Sequence, residues 1–252
     1  MNGSRNLIVN RDKPPFDNPD LRRALSLTLD RQAFIDIISA GRGAIGGPME
    51  PPPEGLWGMP DEMLKALPGY SPDVARRRAE ARQIMEKLGY GPDKRIAVTV
   101  AARNVPAWRD PALILIDQLK AIYIDGELEP VDTTQWYPRL MRKDFQVGLN
   151  VTENEVDDPD AQFYENYRCG ALRNYTGYCN KSVDELIERQ SQETNARTSG
   201  STSNGSIWWG MAWATVLPRR GISAATRKGF RIGVALRKLG ISACPSIDCP
   251  GS

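Results

Sequence analysis

The segment that decides the fold class is RIAVTVA, residues 95–101, in which Ile96, Val98 and Val100 alternate with other side chains. This alternation is typical of a β-strand with one buried face. Two more apolar segments follow, LEPV at residues 128–131 and FQVGLNV at residues 145–151, and a helical spacing of apolar residues lies between them. Alternating strands and helices favour parallel strands joined by right-handed crossovers, so we expect an α/β or mixed α+β fold.

Helices are predicted on both sides of these strands. Their clearest marks are capping side chains and prolines in the first turn, because both satisfy or remove the unpaired N–H groups at a helix start. The predicted starts are Asn18, Asp30, Ser71-Pro72-Asp73, Asp110-Pro111, Thr133 or Thr134, and a capping box at Ser182. We expect the Asp110-Pro111 helix to end near Gly126.

The composition excludes several classes of site and protein. Histidine is absent from all 252 residues, which removes Ser-His-Asp and Cys-His nucleophile systems and zincin-type metal sites. No run of 18 apolar residues is present, so no transmembrane helix is predicted. Residues 1–10 lack the basic region and apolar core of a signal peptide. Gly41-x-Gly43-x-x-Gly46 follows a predicted helix rather than a strand, so we predict no dinucleotide cofactor.

Charge divides the chain into two parts. Residues 1–196 carry 25 Lys and Arg against 30 Asp and Glu, whereas residues 197–252 carry eight basic residues against one acidic residue. The second part also holds eight Gly, eight Ser and three of the six Trp. Tryptophans beside arginines would suit a membrane surface or a nucleic acid, but interrupting Gly and Pro favour a poorly ordered tail, and we predict no nucleic-acid partner.

Several segments resemble one protein family, the family 5 extracellular solute-binding proteins, which are receptors of bacterial ABC importers for peptides and nickel. The similarity extends over roughly residues 7–196, and the order and spacing of the segments make it specific. The segments are NRDKPPFDNPDLRRALSLTLDR at residues 10–31, LPGY at 67–70, KLGY at 87–90, VDDPD at 156–160, NYTGYCN at 174–180 and DELI at 184–187.

The resemblance implies the C-terminal lobe of a two-lobed periplasmic-binding-protein type 2-like fold, with a mixed sheet flanked by helices. Residues 1–15 would be a hinge segment, residues 16–196 the solute-binding lobe and residues 197–252 an unrelated or out-of-frame tail. The family's signal peptide and N-terminal lobe are not found in this sequence. Family members are periplasmic and bind peptides or other small solutes for ABC transporter permease subunits, so those partners and that location are expected here.

The predicted binding residues follow the predicted strands, because ligands bind beyond the carboxyl ends of strands in open α/β sheets. Arg103 and Asn104 follow the first strand and could contact a ligand carboxylate or backbone, or form an exposed turn. Trp136, after the second strand, could line a side-chain pocket, as could Trp57 and Trp108, or all three could pack in the core.

An acidic segment follows the third strand. In peptide-binding relatives, an acidic residue four positions before the proline of an Asp-Pro pair contacts the α-ammonium group of the ligand. Counting back from Pro159 gives Glu155, where the family usually has Asp, with Asp157 and Asp158 as neighbours. The alternative is a solvated acidic loop that caps the next helix.

Cys169 and Cys179 lie ten positions apart in the part of the chain that resembles an exported protein, so a disulfide between them is one prediction. Two free thiols are the other, since a cytosolic chain would keep them reduced. A four-cysteine zinc site with Cys244 and Cys249 is not expected at these spacings, and no metal or cofactor is predicted.

Three functions are therefore open. The first is part of the substrate-binding component of an ABC importer, with no enzymatic activity. The second is a non-functional remnant of such a receptor, because one lobe keeps only half of a cleft. The third and lowest-ranked is a carboxylate hydrolase that uses Asp157 with Glu155, although carboxylates on one short loop lack the opposed geometry of a glycosidase.

Overall fold

The structure is a computed structural model that describes residues 3–47, 49, 55–153 and 157–192. The predicted tail, residues 197–252, lies outside these described residues, and so do Cys244 and Cys249. No helix in the described part is long and apolar enough to cross a membrane.

Four strands in the described residues form one mixed sheet. They are β1 (Gly3–Val9), β2 (Ile96–Arg103), β3 (Ile124–Val131) and β4 (Val147–Glu153). Their order is β1-β4-β2-β3, and β2 pairs in parallel with both β3 and β4. The predicted parallel arrangement of three strands is therefore confirmed, and the antiparallel pairing of β1 with β4 makes the sheet mixed.

Helices connect and cover these strands. They are α1 (Pro19–Thr28), α2 (Arg31–Ser39), α3 (Asp61–Lys65), α4 (Val74–Lys87), α5 (Pro106–Leu119), α6 (Thr133–Met141), α7 (Pro159–Gln162) and α8 (Lys181–Ser191). Three predicted caps are confirmed, since Asn18, Asp30 and Asp73 each accept a hydrogen bond from a backbone N–H of the first turn. The cap satisfies a donor that has no partner within its helix.

Strand β1 was not predicted as a strand, and the assignment of residues 1–15 to a hinge segment stays a prediction. Residues 3–9 form an edge strand, with Gly3 opposite Glu153 and Val9 opposite Val147 along the whole of β4. The apolar run Leu7–Val9 is too short to indicate a strand alone. Its partner is more than a hundred residues away, so only the folded sheet reveals it.

The boundaries of α5 and β3 also differ. Helix α5 begins at Pro106, where a missing N–H costs no hydrogen bond, and Pro111 lies inside the helix rather than at its start. Strand β3 begins at Ile124, because Tyr123 adopts the left-handed conformation (φ 65°) that ends the preceding turn. Gly126 is therefore in the strand. A Cβ there would lie 2.9 Å from Ile116 Cγ1, so glycine lets α5 pack closely against β3.

Two caps lie a few residues before the predicted ones. Asp132 caps α6 by accepting a hydrogen bond from the Thr134 backbone N–H at 2.8 Å, so neither Thr133 nor Thr134 is the cap. Asn180 caps α8 by accepting from the Ser182 backbone N–H at 3.1 Å. In both cases an Asx side chain occupies the N-cap position, for which it is strongly favoured.

The sheet has an apolar layer on each face. Val98, Val100 and Ala102 of β2 belong to the main core with α1, α4 and α5, while Ala101 points to the opposite face and joins a cluster around Trp136 and Phe145. This alternation follows from the two-residue period of a strand. The predicted β2 alternation therefore marks the main-core face, and the second face is covered by α6.

A separate cluster, which we call the loop-side core, is built mainly from short helices and loops. It holds Met49, Met59, Leu64, Leu67, Phe163, Tyr178, Val183 and Ile187. Partly buried Trp57, Tyr70 and Tyr167 pack against it.

Candidate functional site

The carboxyl ends of β2, β3 and β4 meet at one edge of the sheet, which we call the strand-tip edge. Arg103 at the end of β2 lies opposite Val131 at the end of β3. Strand β4 passes β2 at Leu149 and continues to Glu153, and β1 begins at the same edge, with Gly3 opposite Glu153. This is the edge at which α/β sheets bind ligands.

Arg103 is held at this edge by two contacts. Its Nε donates a hydrogen bond to Thr133 Oγ1 at 3.1 Å, and its guanidinium carbon lies 4.9 Å from the centre of the Trp108 ring. Among the described residues, the two terminal NH2 groups of Arg103 have no hydrogen-bond partner. The side chain is therefore held in one orientation while its two NH2 groups stay available for hydrogen bonds. This arrangement favours a bidentate interaction with a carboxylate.

Asn104 lies beside Arg103 at the same edge. Its backbone N–H donates to the Val131 carbonyl at 2.8 Å, which extends the pairing of β2 and β3 by one residue, and its side chain is exposed. Asp132 follows β3, and hydrogen bonds from the Thr134 hydroxyl and then from the Thr134 backbone N–H lower the pKa of its carboxyl. Asn104 and Asp132 therefore add an amide and a carboxylate to the edge that carries Arg103.

Trp136 lies beneath the edge, not on it. Its side chain is completely buried, and its Nε1 donates to Asn150 Oδ1 at 3.3 Å. The core-packing alternative for Trp136 therefore describes the structure, and in this conformation its ring has no surface that a solute could contact. Trp108 also packs beside this cluster, where it supports Arg103.

The two described carboxylates of the acidic segment make separate local contacts. Asp157 Oδ2 accepts a hydrogen bond from the Leu56 backbone N–H at 2.7 Å, and the Asp157 carbonyl accepts one from Trp57 Nε1 at 3.1 Å. Asp158 caps α7 by accepting from the Asp160 backbone N–H at 2.8 Å. The helix-capping alternative therefore applies to Asp158. Glu155 lies outside the described residues.

Polar side chains of β1 and β4 add to the strand-tip edge and were not predicted from the sequence. Asn6 Nδ2 donates to Thr152 Oγ1, and Ser4 Oγ donates to Asn6 Oδ1 at 3.0 Å. Alternating Ser4 and Asn6 could have indicated one polar face of a strand. Without a predicted β1, that pattern had no structural context.

Cys169 and Cys179 are joined by a disulfide, with their Cα atoms 4.5 Å apart. Asn174 organises the loop between them, since its side-chain amide donates to the carbonyls of Arg168 and Tyr178 and its Oδ1 accepts from the Tyr178 backbone N–H. The loop contacts the segment after β1 through a hydrogen bond from the Arg11 N–H to the Thr176 carbonyl at 3.1 Å. The disulfide therefore supports a loop at the end of the sheet away from Arg103.

Within the residues that the structure describes, no group of three or more Cys, Asp and Glu side chains could hold a metal ion. A cavity of about 260 Å³ lies between the end of α6 and the disulfide loop and is lined by Met141, Lys143 and Leu172 among others. It lies apart from the strand-tip edge and contains none of the predicted binding residues.

The sequence profile of the bacterial extracellular solute-binding proteins, family 5 Middle, matches residues 1–174. Among curated proteins, the probable D,D-dipeptide-binding periplasmic protein DdpA of Escherichia coli is 26% identical over 185 residues, which cover 72% of this chain and 33% of that protein. Di/tripeptide-binding protein 1 of Pseudomonas aeruginosa is 25% identical over 194 residues, which cover 75% of this chain and 34% of that protein. The chain thus spans about one third of the length of the curated relatives it matches.

Solved structures share the fold. OppA of Haemophilus influenzae, in complex with RPPGFSPFR, matches with a TM-score of 0.72 at 20% identity, covering 85% of this chain and 41% of that one. The murein tripeptide binding protein MppA of Escherichia coli matches with a TM-score of 0.71 at 17% identity, covering 84% of this chain and 41% of that one. At these identities the likeness concerns the fold alone.

Proposed function

The chain belongs to the bacterial extracellular solute-binding proteins of family 5, and we propose that its strand-tip edge forms one wall of a cleft that binds a peptide-like solute without chemical reaction. The observation that carries the proposal is the fixed orientation of the Arg103 guanidinium. Thr133 and Trp108 hold its guanidinium in place, and its two NH2 groups have no partner among the described residues. A fork held in this way suits a carboxylate, because little side-chain entropy is lost when the ligand binds.

The ammonium end of the solute is assigned to Glu155, which follows β4 by two residues and lies outside the described residues. Asn104 would contact the backbone of the solute. A peptide with free termini carries one ammonium and one carboxylate, so the Glu155 carboxylate and the Arg103 guanidinium together have the charges that complement both. The names of the relatives, which include dipeptide-binding and di/tripeptide-binding proteins, support this class of solute.

A second lobe would supply the opposite wall of the cleft. Strand β1 begins at the strand-tip edge, so a preceding lobe would join the chain on the cleft side. Closure of two lobes around a solute is a shape change that a membrane transporter can recognise. A relative from Escherichia coli, 24% identical, is named a probable ABC transporter periplasmic-binding protein, and we extend that periplasmic location and an ABC importer's permease subunits to this chain as proposals.

The remnant hypothesis is the second candidate. A lobe that acted alone would form a single wall of a cleft and could not gain affinity from closure, so it should bind a solute weakly. The hydrolase hypothesis has less support. The Asp157 and Asp158 carboxylates both accept hydrogen bonds from backbone N–H groups, which favours structural roles for them.

Isothermal titration of the purified chain with trialanine tests the proposal. We expect binding of trialanine, with affinity reduced about tenfold or more by Arg103→Gln and by Glu155→Gln. Trialanine amide should bind weakly to the native chain and should lose nothing further in Arg103→Gln, because the carboxylate partner is already missing. N-acetyl-trialanine, which lacks the ammonium group, should bind weakly to the native chain and should lose no further affinity in Glu155→Gln.

Arg95→Gln is the matched control, because Arg95 precedes the opposite end of β2 and pairs with Asp125 at 2.8 Å. It removes the same charge without touching the strand-tip edge, so trialanine affinity should not change. If neither trialanine nor other short peptides bind or raise the melting temperature, the remnant hypothesis replaces the receptor proposal.

A further inference from the structure

The segment that contains Leu56 and Trp57 is fixed on two sides. Met59 is buried in the loop-side core, and the Trp57 ring packs partly against it. On the other side, the Leu56 N–H and Trp57 Nε1 both donate to Asp157. Leu56 is nevertheless 87% exposed, so an ordered loop presents an apolar side chain outward.

Asp157 therefore makes two bonds to consecutive residues about one hundred positions earlier in the sequence. Its carboxylate is used as an acceptor for a backbone N–H, and its carbonyl as an acceptor for an indole N–H. Such a pair of bonds fixes the position and the direction of a loop, because each constrains a different group. A carboxylate that only neutralised a solute ammonium would need neither.

We propose that Asp157 is a positioning residue, which holds the Leu56–Trp57 segment against the acidic segment after β4 and does not itself contact the solute. The proposal deepens the solute-binding function and rests on it. It assigns the exposed apolar surface of Leu56 to the proposed cleft. Because the proposed function assigns the solute ammonium to Glu155, two positions before Asp157 in the sequence, the preferred solute carries an apolar side chain close to its ammonium group. It also replaces the direct role that the sequence suggested for Asp157.

Two substitutions at one position separate positioning from direct charge contact. Asp157→Asn keeps an oxygen that can accept from the Leu56 N–H but removes the charge. Asp157→Ala removes both. If Asp157 positions the loop, trialanine affinity should stay within about threefold in Asp157→Asn and should fall about tenfold or more in Asp157→Ala. Equal losses in the two variants would overturn the proposal, since the charge would then be the active property.

Hydrogen exchange at the Leu56 amide tests the same proposal without a solute. In the native chain we expect slow exchange despite the exposure of the Leu56 side chain, because the N–H is hydrogen-bonded. Exchange should become about tenfold faster or more in Asp157→Ala and should remain slow in Asp157→Asn. An exchange rate that Asp157→Ala does not alter would overturn the proposal.

Asp158 supplies the matched control. It is adjacent, exposed and also acidic, but it caps α7, and the hydrogen bonds of the Leu56 N–H and Trp57 Nε1 go to Asp157. Asp158→Ala should leave the Leu56 amide protected. If trialanine fails to bind the native chain while the exchange pattern holds, the solute-binding function fails and the positioning role of Asp157 stands.

The preference for an apolar side chain is measured with two tripeptides, Leu-Ala-Ala and Ser-Ala-Ala. The native chain should bind Leu-Ala-Ala about threefold to tenfold more tightly, and Leu56→Ser should remove the difference. An unchanged ratio in Leu56→Ser would contradict the assignment of Leu56 to the cleft and would favour contact with an opposing lobe instead.

Discussion

The sheet and the loop-side core are stabilised in different ways. The sheet and the helices that cover it bury aliphatic side chains almost completely, for example Val100, Leu115 and Leu119. The loop-side core is made of α3, α8 and loops, and it depends on tyrosines, a nearby disulfide and hydrogen bonds from side chains to backbone.

The two regions differ in how their backbone N–H and C=O groups find hydrogen-bond partners. Regular elements satisfy their own backbone groups, so burial of apolar surface is enough to hold them together. Loops leave backbone groups unpaired, and specific side chains such as Asn174 and Asp157 must satisfy them. The candidate site draws Arg103 from the sheet and Asp157 from beside the loop-side core, so it combines support from paired strands with support from individual hydrogen bonds.

The largest predicted effect is a loss of stability caused by a substitution in the core beside the sheet. Trp136→Ala should destabilise the protein by about 3–5 kcal/mol, because it leaves a large cavity and an unpaired Asn150 in a fully buried cluster. Trp57→Ala, at a partly buried position of the loop side, should cost about 1 kcal/mol. Urea unfolding of both variants measures the difference. Equal costs would mean that the two regions are stabilised alike.

Loss of the disulfide should destabilise the region of the loop-side core. Replacing Cys169 and Cys179 with Ser should cost about 2–3 kcal/mol, because the unfolded chain regains the entropy of a loop ten residues long. Urea unfolding of the double variant measures this cost, and hydrogen exchange should accelerate in residues 169–179 and not in β2. A reducing agent should lower the stability of the native chain and leave the double variant unchanged. If reduction destabilises both proteins equally, the effect does not come from this disulfide.

Alkaline pH should also lower the stability of the protein through a tyrosine that packs against the loop-side core. Burial raises the pKa of Tyr167 to about 12. Between about pH 10 and pH 12 the unfolded chain loses the phenolic proton while the folded chain keeps it, so stability is complete below pH 10 and falls as the pH rises through this window. The loss from Tyr167 should be about 2 kcal/mol.

Tyr167→Phe is the control for the alkaline effect, since it keeps the ring and removes the titrating hydroxyl. The fall in stability above pH 10, followed by urea unfolding at a series of pH values, should be smaller in this variant. Burial raises the pKa of Tyr178 as well, so part of the fall should remain. An identical pH profile would assign the alkaline loss to other tyrosines.

The smallest predicted effect concerns the cap of α6. Asp132→Ala should lower the melting temperature by about 2 °C at neutral pH, while Asp132→Asn should retain most of the cap. Because the folded pKa of Asp132 is lowered, its contribution is present above the usual carboxyl pKa and is lost as the pH falls through the lowered value. The melting temperatures of the native chain and Asp132→Ala should therefore differ at neutral pH and converge at acidic pH.

The candidate site was predictable only in part. Arg103 and Asn104 follow a strand whose alternation is plain in the sequence, so the rule for strand ends was enough to locate them. Trp136 obeyed the same rule, but the sequence could not distinguish a buried ring from an exposed one. The hydrogen-bond partners of Asp157 could not be predicted from the sequence. Leu56 and Trp57 lie in an irregular Gly- and Pro-rich segment, and no pattern relates that segment to β4.

Local patterns in the amino-acid sequence were enough to predict the strands near Ile96 and Val147, the helix caps at Asn18, Asp30 and Asp73, and the class of the fold. These features depend on interactions between residues a few positions apart, which a periodic pattern expresses directly. The pairing of β1 with β4 and the contact of Asp157 with Leu56 became visible in the folded chain alone. Those contacts join residues a hundred or more positions apart, and their free energy depends on packing and burial that no local pattern encodes.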